Sequence, residues 1–209
     1  MNKQIASVLA RYEERSRQEY PVVAAFSMQE YVAQRDGFLL DIGPESAKFL
    51  NILIKATRPK LVLEIGSSYG FSTLWLAEAA DAAGARVVSL EISEQKIRFA
   101  KQQIDEAGLG SVVQFIQGDA LTNIASMTDP VDFVLIDLWK ELYIPVLDGL
   151  YPKLAREALI AADNICLPAI HAPVMQKYVA HVRSLPGIES VTVPVGSGIE
   201  LSRYSKDRE

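Results

Sequence analysis

Four side chains able to handle protons and cations fall in two short stretches, Asp137-Leu138-Trp139-Lys140 and Asp163-Asn164. Each follows an apolar run with the look of a buried strand, Phe133-Val134-Leu135-Ile136 before the first and Ala158-Leu159-Ile160-Ala161-Ala162 before the second. Strands ending together would deliver two carboxylates, a carboxamide and an ammonium to one edge of a sheet. Asp137, Asp163 and Asn164 then offer three oxygen donors, the ligand type of a hard divalent cation such as Mg2+. No His or Cys joins the set, which disfavours zinc. Lys140, three residues past the first carboxylate, is the candidate general base.

A second set of residues reads as a nucleotide site. Leu61-Val62-Leu63-Glu64-Ile65 is an apolar strand candidate that ends in Gly66-Ser67-Ser68-Tyr69-Gly70-Phe71-Ser72, after which Thr73 to Ala83 reads as a helix. Strand, glycine loop and helix together make a nucleotide-binding arrangement. The spacing G-x-x-x-G matches neither the dinucleotide fingerprint nor the phosphate-cradling loop, and no lysine follows to meet a phosphate. The next strand candidate, Arg86 to Leu90, ends on Glu91, 25 residues after Gly66. A carboxylate there can accept both hydroxyls of a ribose, at about the interval expected one βα unit along.

Together these residues resemble the class I S-adenosylmethionine-dependent methyltransferases, and within them the metal-dependent catechol O-methyltransferase family. Glu64 to Ser72 is similar to the family's cofactor loop, Gly118-Asp119-Ala120 to its adenine-side turn, and Asp137 to Tyr143 to its metal-and-lysine segment. Asp163-Asn164 matches its remaining metal ligands, and Ser197-Gly198-Ile199-Glu200 its late acidic substrate-side residue. The resemblance runs from about Ile42 to Tyr204. It implies S-adenosylmethionine held by Glu64, Gly66, Ser68, Gly70, Ser72, Glu91, Ile92, Asp119, Ala120, Asp137 and Trp139. It implies Mg2+ or a similar cation on Asp137, Asp163 and Asn164, with Lys140, Asp137 and Glu200 in the catalytic set.

The chemistry has a physical logic. The sulfonium methyl is already electrophilic, so the protein must supply an oxyanion in line with it. Phenols titrate near about 10, so few are ionised at neutral pH. A cation shared by the two oxygens of a vicinal diol favours the ionised form and fixes its direction. Three oxygens from the chain, two from the diol and a water would complete the roughly six-fold surroundings of Mg2+.

Elements to position these groups alternate along the chain. Strand candidates at 61–65, 86–90, 112–116, 132–136 and 158–162 are separated by helices, and Pro173 starts another helix. Val191 to Val195 and Ile199 to Tyr204, joined by Gly196-Ser197-Gly198, read as a hairpin. The pattern predicts an α/β, doubly wound, mostly parallel sheet of seven strands covered on both faces; the resemblance implies an antiparallel C-terminal strand. Residues 3–18 read as a polar helix with the stripe Ile5, Val8, Leu9 and Tyr12. Ser27-Met28-Gln29-Glu30 is a capping box opening a helix that Gly37 stops, and Pro44 precedes a helix over Glu45 to Ala56. The expected organisation is one domain over 1–209, with helices in 1–57 forming part of a substrate lid and a cofactor-binding core over 60–209.

At 209 residues and 49% hydrophobic, the chain can bury one full core. Its net charge of −5 gives no global attraction to nucleic acid, so the expected partner is a small phenolic or catechol-like molecule. The N-terminus lacks a signal-peptide apolar core and no stretch reaches the roughly 18 residues of a membrane span, so a cytoplasmic location without membrane contact is expected. A homodimer is compatible with the sequence. Cys166 reads as a buried structural thiol. Alternatives stand beside several assignments: Glu91 as a solvated strand end, Asp119 as a brace for its turn, Glu200 as an exposed hairpin residue, Trp139 as a lid. His171 is read as a solvated loop residue rather than one facing the site, and His181 as structural. Two further functions compete with the small-molecule one, a tRNA wobble-uridine O-methyltransferase and a non-catalytic S-adenosylmethionine-binding module.

Overall fold

The computed structural model describes residues 2–166 and 169–205. Seven strands, β1 (Leu61–Ile65), β2 (Arg86–Glu91), β3 (Val113–Gln117), β4 (Val131–Ile136), β5 (Leu154–Ala162), β6 (Ile188–Val193) and β7 (Ile199–Tyr204), form one sheet. Their spatial order is β3-β2-β1-β4-β5-β7-β6. Strands β1 to β5 are parallel, and β7 lies antiparallel between β5 and β6. This is the doubly wound sheet with an inserted antiparallel C-terminal strand that the sequence and its resemblance lead one to expect.

Strand parity sorts the core into two layers. Leu61, Leu63 and Ile65 of β1, with Val134 and Ile136 of β4, pack against α6 (Ala120–Ser126), α7 (Tyr143–Leu150) and α8 (Ala172–Ser184). Val62 of β1, with Phe133 and Leu135 of β4, packs on the other face against α1 (Lys3–Ala24), α3 (Pro44–Thr57), α4 (Phe71–Ala83) and α5 (Glu94–Glu106). Burial on both faces explains why these strands read as unbroken apolar runs rather than alternating ones.

Several boundaries differ from the sequence reading; the first hairpin strand, expected over Val191 to Val195, runs over Ile188–Val193. Strand β5 begins at Leu154, four residues before the expected start, because its pairing with β4 shifts register between Val131 and Phe133. Glu157, at φ 66°, sits in that irregularity, and the exposed Arg156 and Glu157 interrupt the apolar run that marks the strand. Helix α1 continues to Ala24 with Pro21 inside it, beyond the expected end at residue 18. Its buried stripe is Ile5, Val8, Leu9 and Tyr12, as expected. Ser27 and Glu30 form the capping box at the start of α2 (Met28–Gln34), and a short 3₁₀ turn, Arg35–Gly37, follows.

The N-terminal elements are stitched directly to the glycine loop. Tyr12 Oη donates to the Tyr69 carbonyl at 2.6 Å, Tyr69 Oη to the Asp36 carbonyl at 3.0 Å, and Ser68 Oγ to the Leu39 carbonyl at 3.2 Å. The Arg15 guanidinium lies 4.3 Å over the Tyr69 ring. Cys166 is exposed, which corrects its reading as a buried thiol: it follows β5 at the open edge of the sheet and pairs its N–H with the Ser197 carbonyl at 2.9 Å. No helix among the described residues is long and apolar enough to cross a membrane.

Candidate active site

The sheet ladder continues one residue past the ends of its strands. Gly66 N donates to Leu90 O at 2.9 Å, Asp137 N to Ile65 O at 3.0 Å, Asp163 N to Ile136 O at 3.1 Å, and Gly118 N to Glu91 O at 3.0 Å. These bonds hold four loop-starting residues level at the carboxyl edge. Because β1 lies between β2 and β4, the edge also contains the point where strand order reverses, the usual ligand crevice of an open α/β sheet. The strand order therefore places the glycine loop directly beside Asp137, and Asp137 beside Asp163.

The acid, amide and lysine meet there. Lys140 Nζ donates to Asn164 Oδ1 at 2.5 Å, Tyr143 Oη at 2.8 Å and Asp137 Oδ1 at 3.2 Å. The Lys140 and Asp137 side chains are only 13% and 17% exposed, so this ion pair is largely shielded from solvent. Asn164 takes φ 59°, a left-handed conformation that asparagine tolerates better than most residues, and this turn follows directly after Asp163. Asp163 is 1% exposed, and neither carboxylate oxygen finds a hydrogen-bond partner among the described residues. Burial first, and the Asp137 charge second, push its carboxyl well above the ordinary carboxylate range.

An unpartnered buried carboxylate costs several kcal/mol if it ionises alone, and a cation offsets that cost. The donor chemistry of Asp137, Asp163 and Asn164 thus fits a hard divalent ion. No cluster of three or more His, Cys, Asp or Glu side chains suited to a metal occurs among the described residues, so such a site rests on two carboxylates and one carboxamide.

The cofactor-loop residues are held in ways their spacing does not announce. A Cβ at Gly66 would lie 2.0 Å from the Asp137 carbonyl, and one at Gly70 would lie 2.7 Å from Ala100 Cβ and 3.2 Å from Tyr12 Oη. Both glycines have positive φ, 97° and 91°. The room they leave is taken by the protein itself: Gly66 lets β1 meet the Asp137 segment, and Gly70 lets α4 meet α5 and α1. Glu64 is fully buried and accepts from Ser72 Oγ, Thr73 Oγ1 and Ser89 Oγ, each at 2.6 Å. Burial outweighs those three donors and pushes its carboxyl up to about 7. Glu64 and Ser72 thus brace each other beneath the loop, whereas the buried Ser67 Oγ, which sequence reasoning passed over, has no partner among the described residues.

At the end of β2, Glu91 accepts from Ser68 N, Ile92 N and Ser93 N, all at 2.9 Å, and the Ile92 side chain beside it is 68% exposed. Asp119 caps α6 by accepting from Thr122 N and Thr122 Oγ1 at 2.9 Å, the bracing role left open in the sequence, and Ala120 packs partly against the core. Trp139 is 38% exposed, with the Arg35 guanidinium 3.7 Å over its ring.

Glu200 is brought to a different partner. Its fully buried carboxylate accepts from Arg183 Nε at 2.8 Å, Arg183 Nη2 at 3.2 Å, Ser190 Oγ at 2.6 Å and Thr192 Oγ1 at 2.5 Å. Burial alone would raise this carboxyl, but the Arg183, Ser190 and Thr192 bonds hold it below the ordinary range. No hydrogen bond joins Glu200 to Lys140 or Asp137 among the described residues. The exposed-hairpin alternative for Glu200 is excluded by its burial.

Several neighbours were not legible as site residues. Tyr143 is fully buried, donates to the Asp163 carbonyl at 3.2 Å and accepts from Lys140. Burial and the charges of Asp137 and Asp163 push its phenol well above the usual value, so it stays protonated. The Asp41 charge adds to the rise of the Asp163 carboxyl, and the Asp137 charge to that of the Tyr31 phenol. His171, read as solvated, is partly buried, and that burial together with the Lys140 charge lowers its pKa. Leu167 and Pro168, in the loop after β5, lie outside the described residues. His181 pairs with Asp148 at 2.6 Å on the helical surface.

Strand order, inserted strand and left-handed loop define the class I methyltransferase fold. A solved O-methyltransferase from Bacillus cereus in complex with SAH superposes with a TM-score of 0.74 at 24% identity, over 96% of this chain and all of the other. The sequence model described as O-methyltransferase matches residues 13–205, so the chain belongs to the O-methyltransferase family. That match reaches well before Ile42, where the resemblance noted above begins. Among curated relatives, a catechol O-methyltransferase of Mycobacterium tuberculosis is 34% identical over 59% of this chain, a stretch spanning only 56% of that protein. A caffeoyl-CoA O-methyltransferase of Petroselinum crispum is 29% identical over 84% of this chain and 81% of its own length.

Proposed function

We propose that this protein transfers a methyl group from S-adenosylmethionine to one hydroxyl of a small catechol-like vicinal diol, aided by a divalent cation. The observation that carries this reading is the pairing of Lys140, tied to Asp137, Asn164 and Tyr143, with the unpartnered carboxylate of Asp163, all level with the glycine loop. Asp137, Asp163 and Asn164 would hold the cation. When bound, it supplies the positive charge that favours the ionised acceptor oxygen.

The chain's own groups do the rest. Lys140 acts as the neutral amine, having first released its extra proton to solvent: Nζ takes the proton from the acceptor hydroxyl, and the oxygen lone pair forms the new O–C bond as the S–C bond breaks, its electrons returning to sulfur. Tyr143 Oη, unable to ionise at working pH, fixes the Nζ position. Glu91, Ile92 and Asp119 line the cofactor side of the edge, with the Glu91 carboxylate offered to the ribose hydroxyls. The N-terminal elements, bonded to the loop through Tyr12, Tyr69 and Leu39, close over the crevice and exclude water.

The test is a methyl-transfer assay over catechols, hydroxycinnamates, caffeoyl thioesters and bulk tRNA, with and without chelator. Methylation of a vicinal diol that stops with chelator and returns with Mg2+ is expected; transfer to tRNA alone would overturn the acceptor class. A second expectation concerns the cofactor. Losing the charge-assisted bonds of Glu91 in Glu91→Ala weakens S-adenosylmethionine by about 2–4 kcal/mol, roughly 30- to 1,000-fold in Kd by calorimetry. Unchanged affinity would remove Glu91 from the cofactor site.

A further inference from the structure

Arg35 is a cation without an anion. Its guanidinium lies over the Trp139 ring, 3.7 Å from the centroid, and Trp139 stands between Asp137 and Lys140 in the catalytic segment. The side chain is half-buried, forms no ion pair among the described residues, and its buried Nε finds no acceptor. Tyr31 lies one helical turn earlier, and its carbonyl accepts the Arg35 N–H, so the two side chains share one face. The Tyr31 hydroxyl also makes no hydrogen bond among the described residues. Because Arg35 sits on the Trp139 ring, and Trp139 lies between Asp137 and Lys140 in sequence, this face of the N-terminal segment abuts the loop that carries the acid–lysine cluster.

A partly desolvated guanidinium with an unused N–H edge is costly to keep unless something anionic is brought to it. The Trp139 ring lies against one side of the guanidinium, whose nitrogens make no hydrogen bond among the described residues, and a planar guanidinium matches a carboxylate with two parallel hydrogen bonds. We infer that Arg35, assisted by the Tyr31 hydroxyl, recognises a carboxylate on the methyl acceptor and so selects carboxylated vicinal diols over neutral ones. This specificity rests on the acceptor class proposed above.

Acid and amide forms of one diol isolate the charge at nearly constant shape. The pairs are 3,4-dihydroxybenzoate with its amide and 3,4-dihydroxycinnamate with its amide, two lengths that differ in reach. For at least one pair, wild-type kcat/KM is expected to favour the acid by about 10- to 100-fold, the worth of a charge-assisted contact. Arg35→Met brings that ratio to near one, and Arg35→Lys keeps part of it as a point charge. Binding of the same four compounds is read by calorimetry in the presence of SAH and Mg2+, so the ratio is obtained whether or not any is methylated. A wild-type ratio near one at both lengths, or a ratio that survives Arg35→Met, overturns the inference and leaves Arg35 as a clamp on Trp139. Loss of turnover on all four compounds, with the acid-to-amide binding ratio intact and dependent on Arg35, would instead count against the reaction and uphold the recognition.

Discussion

Replacing Lys140 with alanine is expected to lower kcat by about 10² to 10⁴ while leaving cofactor affinity nearly unchanged. That range corresponds to about 3–5.5 kcal/mol of barrier. The size separates two roles for the same side chain. If Lys140 served only to neutralise Asp137 and bond Asn164, its loss would act as removal of a partly shielded ion pair and hydrogen bonds, and a divalent ion could replace its charge. A residual rate restored by excess Mg2+ would then be seen. If Nζ takes the acceptor proton, no cation restores it. Lys140→Arg keeps the charge and should fail as well, since guanidinium does not give up its proton. Tyr143→Phe removes one of the three partners that fix Nζ and should lower kcat by a smaller factor, with KM less affected. Single-turnover rates at saturating S-adenosylmethionine, beside calorimetry of cofactor binding, decide the matter. Near-normal turnover of Lys140→Ala on the best vicinal diol would make the lysine a charge-balancing residue only.

What could be read from the sequence was whatever one element carries by itself. The runs Leu61–Ile65 and Val131–Ile136 end at Gly66 and Asp137, and an apolar run that stops at a polar or glycine residue marks a strand end whatever lies around it. With the order of parallel strands, that suffices to bring Asp137, Lys140, Asp163 and Asn164 together. The roles of the glycines were not legible. Gly66 and Gly70 are assigned to the cofactor loop by resemblance, and the atoms that a side chain there would strike belong to Asp137, Ala100 and Tyr12, partners fixed only by tertiary packing. For the same reason the contact of Arg35 with Trp139 was invisible, because 104 residues separate the two and no local period records it. Arg183 hides in the same way: a basic residue late in α8 looks like a solvated helix end, and only the folding of β7 beside α8 shows that it holds Glu200.

Asp163 should give the clearest separation of stability from turnover. Its two carboxylate oxygens are buried without partners among the described residues, and the Asp137 charge adds to the effect of that burial, so the metal-free protein keeps an acid whose ionised form is disfavoured. The sign follows from linkage. The folded state holds this proton to higher pH than the unfolded chain does, so metal-free stability falls as pH rises from the ordinary carboxylate range through the raised one. Asp163→Asn removes that titration at nearly constant volume. The variant is therefore expected to match or exceed the wild type in Tm above neutral pH without metal, although most buried substitutions destabilise. Addition of Mg2+ reverses the comparison. Occupancy at a hundred times Kd contributes about 2.7 kcal/mol to the wild type, a rise of roughly 5–11 °C for a chain of this size, and close to nothing to the variant. Turnover of Asp163→Asn should be lost at every Mg2+ concentration tested, with cofactor binding retained. Thermal unfolding of both proteins across pH 5 to 9, with chelator and with Mg2+ or Mn2+, reads the stability terms, and methyl-transfer assays and calorimetry on the same samples read turnover and cofactor binding. A wild type whose Tm and turnover both ignore chelator and added cation would show that Asp163 is a protonated structural acid, and the methyl transfer would then rest on Lys140 alone.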